Sequence, residues 1–406
     1  MRTLTVLPVG DGACSIVRDY SLSTPGQDSV TIIDCGQGKS HGRSAAIQLL
    51  EHMRPQDWVA LSSLVVTHYD ADHWRGLHFV AANLPPGALP LTVSPLVVYS
   101  PAVPFGLASD LPATVNTLIS MTSPSGAEAL DLQRAWAQHV PTKLVPRAAG
   151  DWMWVAGRAH HVVWPPQALG APATTRANNV VSQIRDLAHR LASQGHPQLR
   201  DALAKAYDQQ AFGRQHNGEG ISPDGLDDEK PVRRPEEYLR ASFGKTDNIH
   251  ADTQAWGRRV ISDEASNNES AVLPAALLTQ AERKLVNAAR RLQNYLSLVF
   301  HDPVHRSLLA YGDAPRSVVT KVKAKVHPWY QSILAPHHGT QTMPPGTSGS
   351  TWCVAQGDDG KFRDSWHRNH LPTHQPIQSY GHSLLRYRCL HVTARGVHRP
   401  LWRRLH

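Results

Sequence analysis

Leu64-Val65-Val66-Thr67-His68-Tyr69-Asp70-Ala71-Asp72-His73 places four potential metal ligands within six residues, directly behind an apolar run rich in β-branched side chains. Val65 and Val66 read as the end of a buried strand, so His68, Asp70, Asp72 and His73 fall in the turn beyond it, where side chains converge. A loop held by a rigid strand is a usual place for a site. The plainer alternative is a polar turn that caps the next helix, with Asp72 as N-cap and the histidines in solvent. Few structural needs, however, explain so dense a set of ligands.

Three further segments stand in order around this one. Val9-Gly10-Asp11-Gly12 precedes Ser15-Ile16-Val17 and then Thr31-Ile32-Ile33-Asp34-Cys35-Gly36. Far downstream come Ser307-Leu308-Leu309-Ala310-Tyr311-Gly312-Asp313-Ala314 and Ile333-Leu334-Ala335-Pro336-His337-His338-Gly339-Thr340. The stretch Thr67-His68-x-Asp70-x-Asp72-His73 resembles the T-H-x-H-x-D-H signature of the metallo-β-lactamase superfamily, with Asp70 in the place of the second histidine. That departure and the other segments resemble the soluble nuclease-like domain of bacterial competence channel proteins, with its I-D-x-G strand end, L-L-x-x-G-D-A strand and P-H-H-G-S strand. The resemblance covers roughly residues 1 to 100 and 290 to 390. It implies an α/β fold, the metallo-β-lactamase αββα sandwich, with a first half over 1–166 and a second half over 279–406. A mainly helical and flexible insertion over 167–278 is expected to interrupt it.

Composition sets the outer limits. A chain of 406 residues with 41% hydrophobic content can bury one large core or two ordinary ones. No run approaches the ~18 apolar residues needed to span a bilayer. The opening Leu4-x-Val6-x-x-Val9 alternates like a strand and lacks the apolar stretch of a signal peptide. A cytoplasmic protein without membrane contact is expected, although the competence proteins themselves are membrane-embedded. Cys14, Cys35, Cys353 and Cys389 lie far apart with no C-x-x-C spacing, which argues against a thiolate zinc site or a disulfide scaffold. Buried thiols are expected instead.

The net charge of +8 and pI of about 9.4 are unevenly spread. From Ser365 to His406 there is no acidic residue, while Arg368, Arg386, Arg388, Arg395, Arg399, Arg403 and Arg404 supply fixed positive charge. Trp366, Tyr380, Tyr387 and Trp402 lie among them. Cations interleaved with aromatics suit phosphate contacts and base stacking, which makes Arg386, Arg388, Arg395 and Arg399 candidate nucleic-acid ligands. A strand with arginines alternating onto a solvated face explains the same pattern.

Periodicity predicts helices over Arg43 to Met53, His73 to Ala82, Asp131 to His139, Thr175 to Ser193, Gln198 to Ala211 and Thr279 to Gln293, with strands over Pro95 to Tyr99 and Tyr295 to Phe300. His160-His161-Val162-Val163-Trp164 reads as a strand stopped by Pro165 and Pro166. Gly213 to Pro235, rich in glycine, proline and both charge signs, is expected to be a mobile loop. The insertion invites a role as a lid or a protein-partner surface, and a passive excursion is the alternative.

The resemblance implies two metal positions. His68 and Asp70 would hold one ion, Asp72 and His73 the other, Asp313 would bridge them, and His337 would complete the second, with His338 as its alternate. Two close cations activate a shared water and stabilise the leaving oxygen. Asp70 in place of imidazole moves preference from zinc toward manganese or magnesium, and zinc stays compatible. No segment matches the further histidine most members give the first metal; His160 and His161 are available, and Asn294 with Ser297 resembles an N-x-x-S-L-V strand that lines the site. His382, in Ser379-Tyr380-Gly381-His382-Ser383, resembles a Y-G-H-P element and with Asp72 is a candidate catalytic residue. Three readings follow: a metal-dependent phosphodiesterase cleaving DNA; a hydrolase of a small lactone, thioester or cyclic nucleotide; and a degenerate metal-binding subunit of a multi-protein complex, such as a defence system.

Overall fold

Successive strand residues point to opposite faces, and in this chain both faces are apolar. Ile32, Leu64 and Val98 enter one buried layer, whereas their neighbours Ile33, Val65, Val97 and Tyr99 enter another. Strands of this kind need cover on both sides. The computed structural model describes residues 2–10, 12–20, 28–37, 42–85, 88–122, 132–206, 232–233, 273, 275–356, 374–378, 390–393 and 396–398.

The first sheet contains β1 (Arg2–Val6), β2 (Cys14–Asp19), β3 (Ser29–Cys35), β4 (Leu61–Val65), β6 (Leu96–Pro101), β7 (Thr142–Arg147), β16 (Leu390–Thr393) and β17 (Gly396–His398), in the order β17-β16-β1-β2-β3-β4-β6-β7. The second contains β8 (Trp152–Val155), β9 (Arg158–Trp164), β11 (Val299–His301), β12 (Leu308–Ala310), β13 (Trp329–Leu334), β14 (Gly349–Ala355) and β15 (His374–Gln378), in the order β15-β14-β13-β12-β11-β9-β8. A separate ribbon pairs β5 (Val93–Ser94) with β10 (Val232–Arg233). The sheets pack face to face through Val6, Ile33, Val65, Val162, Phe300 and Ala310. Outside the first sheet lie α1 (Arg43–His52), α2 (Pro55–Val59), α3 (Ala71–Asn83) and α5 (Leu132–Ala137), and outside the second lies α8 (Arg316–Val322). Helix, sheet, sheet, helix is the αββα sandwich that the sequence resemblance implied. Each buried Leu, Ile, Val or Phe contributes about 1.5–3 kcal/mol, whereas an exposed ion pair such as Arg200–Asp201 belongs to a class worth ~0–1 kcal/mol. The apolar layers therefore hold the fold.

A third apolar cluster joins α4 (Leu111–Thr122), α6 (Ala171–Ser193) and α7 (Gln280–Tyr295). Thr279 caps α7 by accepting from the Glu282 amide at 3.3 Å, and Glu282 Oε2 accepts from the Thr279 amide at 2.8 Å. Helices on either side of the expected 167–278 insertion thus share its core. The mobile loop expected over Gly213 to Pro235 lies outside the described residues apart from β10, as do Asp11, Cys389, His382, Arg386, Arg388, Arg395 and Arg399. Cys14, Cys35 and Cys353 are buried. Among the described residues no helix is long and apolar enough to cross a membrane.

The topology fixes where a site forms. β3 runs parallel to β4, and β12 parallel to β13. The carboxyl ends of these strands deliver Asp34, the His68–His73 loop, Asp313 and the His337-His338 pair to one end of the sandwich. Crevices at such ends are where open α/β sheets bind ligands.

Candidate metal centre

Asp70 occupies the N-cap position of α3, yet its side chain makes no capping bond. Its Oδ2 lies 3.5 Å from His68 Nε2 instead. One turn on, His73 Nδ1 donates to Asp34 Oδ2 at 2.9 Å, which leaves Nε2 turned toward Asp313 Oδ1 at 3.1 Å and Asp72 Oδ1 at 4.0 Å. His338 Nε2 lies 3.2 Å from Asp72 Oδ2 and 3.5 Å from Asp313 Oδ1. Two overlapping ligand sets result, His68–His73–Asp313 and Asp72–His73–His338, each with its ligand atoms within 4.8 Å of one another.

Both nitrogens of His68, His73 Nε2 and Asp313 Oδ1 are buried without a hydrogen-bond partner among the described residues. His73 Nε2 and Asp313 Oδ1 are close enough to bond but are not aligned to do so. Buried polar atoms are nearly always satisfied. Donor atoms that crowd together without bonding one another suit a cation between them, and the residue types are those that ligate divalent ions. The donor set fits a metal.

The supporting frame is under strain. Among the described residues five non-glycine positions have positive φ, and three of them, Asp34, His337 and His338, belong to this end of the sandwich. Such conformations persist only where surroundings over-determine them. Asp34 accepts from the Thr67 amide and the Thr67 hydroxyl, both at 2.7 Å. The His337 amide donates to the Gly312 carbonyl at 2.8 Å, and its own carbonyl accepts from the Thr340 amide at 2.8 Å and hydroxyl at 2.7 Å. Gly312 passes so near Thr67 that a Cβ there would sit 2.8 Å from the Thr67 Cβ. This contact seats the Asp313 loop on the ligand loop.

Electrostatics follow from crowding. Burial raises the Asp313 carboxyl, but His337, His338, His73 and His68 outweigh it and hold it well below the carboxylate range. Burial likewise opposes ionisation of Asp72, and the His338 hydrogen bond with the charges of His73 and His338 depresses it. The imidazoles respond in kind. Burial disfavours the His73 and His338 cations, yet Asp34 and Asp313 push His73 well above its ordinary value, and Asp313 and Asp72 raise His338.

The expected pairing put His68 with Asp70 and His73 with Asp72; the structure adds His73 to the His68 set and brings His338 to Asp72. His337 is one-third exposed, with Nε2 3.6 Å from Asp313 Oδ2 and Nδ1 3.3 Å from Asn294 Nδ2. Asn294 therefore lies beside the centre, and its Oδ1 is buried without a partner among the described residues. His160 and His161 sit at the other end of the sandwich, where His160 Nε2 meets Arg2 Nη2 at 3.1 Å. Asp34 and Thr67, present in the quoted motifs, had no assigned part; an acid at the end of a buried strand was the signal.

A search of solved structures finds metallo-β-lactamase fold proteins. YhfI from Bacillus subtilis shares 13% identity over 40% of this chain and 52% of its own, with a TM-score of 0.21. TTHA1429 from Thermus thermophilus shares 16% identity over 40% of this chain and 51% of its own, with a TM-score of 0.21. The chain thus spans about half the length of these structures. No protein-family model matches it, and no curated protein does. Likeness of this degree leaves the centre to be read from its own geometry.

Proposed function

We propose that the chain is a metal-dependent hydrolase that cleaves phosphodiesters, with DNA as the substrate. The observation that carries the hydrolase reading is the convergence of His68, His73, Asp313, Asp72 and His338, with both His68 nitrogens, His73 Nε2 and Asp313 Oδ1 left without a hydrogen-bond partner among the described residues. These residues, with Asp70 beside His68, would hold two divalent ions. Three carboxylates among imidazoles suit manganese or zinc, and magnesium is compatible. Such ions supply Lewis acidity and lower the pKa of a bound water to the neutral range. Asp34 fixes the His73 ring through Nδ1, so that Nε2 presents its lone pair. His337, partly exposed and 3.3 Å from Asn294 Nδ2, would donate to a leaving oxygen. Phosphodiester specificity is supported by Asp70, which hardens the ligand set, and by the acid-free, arginine-rich segment from Ser365 to His406.

The test incubates purified protein with linear, circular and single-stranded DNA and with RNA at matched manganese, magnesium and zinc, beside an Asp72→Ala/His73→Ala variant. Metal-dependent cleavage of DNA lost in the variant is expected. Metal-loaded protein that leaves every nucleic acid intact overturns the nuclease reading and favours a small-molecule ester or a partner-dependent role.

A further inference from the structure

Arg75 is among the largest fully buried side chains of the molecule, with 1% exposure. None of its three guanidinium nitrogens has a hydrogen-bond partner among the described residues. Its face contact is with the Trp74 ring, 5.9 Å from the centroid. Buried charges are normally paired, because unpaired they lose hydration without return. Arg75 lies one turn after Asp72 on α3, so the two share a face of the first turn. Asp72 and Asp70 are the acidic groups whose charges reach it.

Asp34, Asp70, Asp72 and Asp313 bring four negative charges to this end of the sandwich, and two divalent ions cancel them. Arg75 adds one positive charge to that balance. Buried as it is, it is screened less than a surface cation, and its field acts beyond contact distance. We propose that Arg75 adds one positive charge to the field of the loaded centre and so makes it favour a singly charged phosphodiester over neutral esters. This inference rests on the two-ion phosphodiesterase reading above.

The experiment uses the full chain with Arg75→Gln and Arg75→Lys. Manganese is titrated calorimetrically into metal-free protein, and inorganic phosphate into the loaded protein. Because a like charge is removed, Arg75→Gln is expected to bind manganese about tenfold more tightly and phosphate about tenfold more weakly, with Arg75→Lys close to the parent in both. In turnover, the KM for bis(p-nitrophenyl) phosphate relative to that for p-nitrophenyl acetate is expected to rise about tenfold in Arg75→Gln. Weaker manganese binding in Arg75→Gln, or unchanged phosphate binding, overturns the proposal and leaves Arg75 a packing residue. If the parent holds metal yet cleaves no phosphodiester, the phosphodiesterase reading fails while the phosphate titration still decides the charge effect.

Discussion

At the strand ends that carry His73 and His338, imidazoles face carboxylates; at the opposite end of the sandwich, imidazoles face Arg2 and each other, and Asp302, the carboxylate acting on His160 and His301, is paired with Arg2. There His160 is fully buried against Arg2, and burial together with the Arg2 charge pushes its pKa down. His301 accepts from or donates to Tyr330 Oη at 2.6 Å through Nδ1, and burial with His161 and His327 pushes it down to about 4. One residue type thus does opposite work in two places. Where acids surround it the ring is held charged until something stronger than a proton arrives. Where burial and neighbouring positive charge outweigh the nearby Asp302, the ring is held neutral and serves as packing.

The sharpest way to break this contrast is Asp313→Ala. It removes the carboxylate that His68, His73, His337 and His338 all feel, and retained metal and cleavage are expected to fall to background, read by metal analysis after dialysis and by DNA cleavage. Metal held at the parent's level would show that the carboxylate-rich end is no metal centre. Asp34→Asn leaves the ligands in place but loosens His73, so metal affinity or activity is expected to fall roughly 10–100-fold.

Acid separates the two ends by sign. A histidine kept neutral in the fold titrates near 6.5 once unfolded, so His160 and His301 withdraw stability as pH falls from about 6.5 toward 4, at up to about 1.4 kcal/mol per pH unit for each. In metal-free protein His73 and His338, raised, contribute stability below about 6.5 that is lost as pH rises through their folded values. Denaturant midpoints at pH 7 and pH 5 are expected to flatten in His301→Gln with cleavage unchanged, while the stabilisation gained on adding metal grows with pH. A metal increment that shrinks with rising pH would contradict the assignment of the carboxylate-bound imidazoles. The smallest effect is expected from Asp70→His, a several-fold shift of preference from manganese to zinc in competition binding.

The ligand loop was legible because four donors in six residues have few other uses, and the strands were legible because both-sided burial leaves continuous apolar runs such as Leu64-Val65-Val66. Helix α4 was not. Thr114, Val115, Thr117, Ile119 and Thr122 are β-branched and lower helix propensity, so packing against α6 and α7 decides its form. His160-His161 were available as ligands by sequence, whereas His160 is buried beside Arg2, 158 positions away. Arg75 stands between a tryptophan and a glycine, and nothing local reports that its side chain is buried. Asp34 was visible as a residue but not as the partner that orients His73, since that contact joins segments 39 positions apart.

Asp72 and His338 meet across 266 residues of chain, one contributed by each half of the sandwich. An ion held between them acts as a removable cross-link, and a cross-link that closes so long a loop limits the unfolded ensemble strongly. The centre therefore also times assembly: it cannot exist until the second half has been synthesised and docked, and a chelator is expected to open the seam between the sheets to proteases before either sheet unravels.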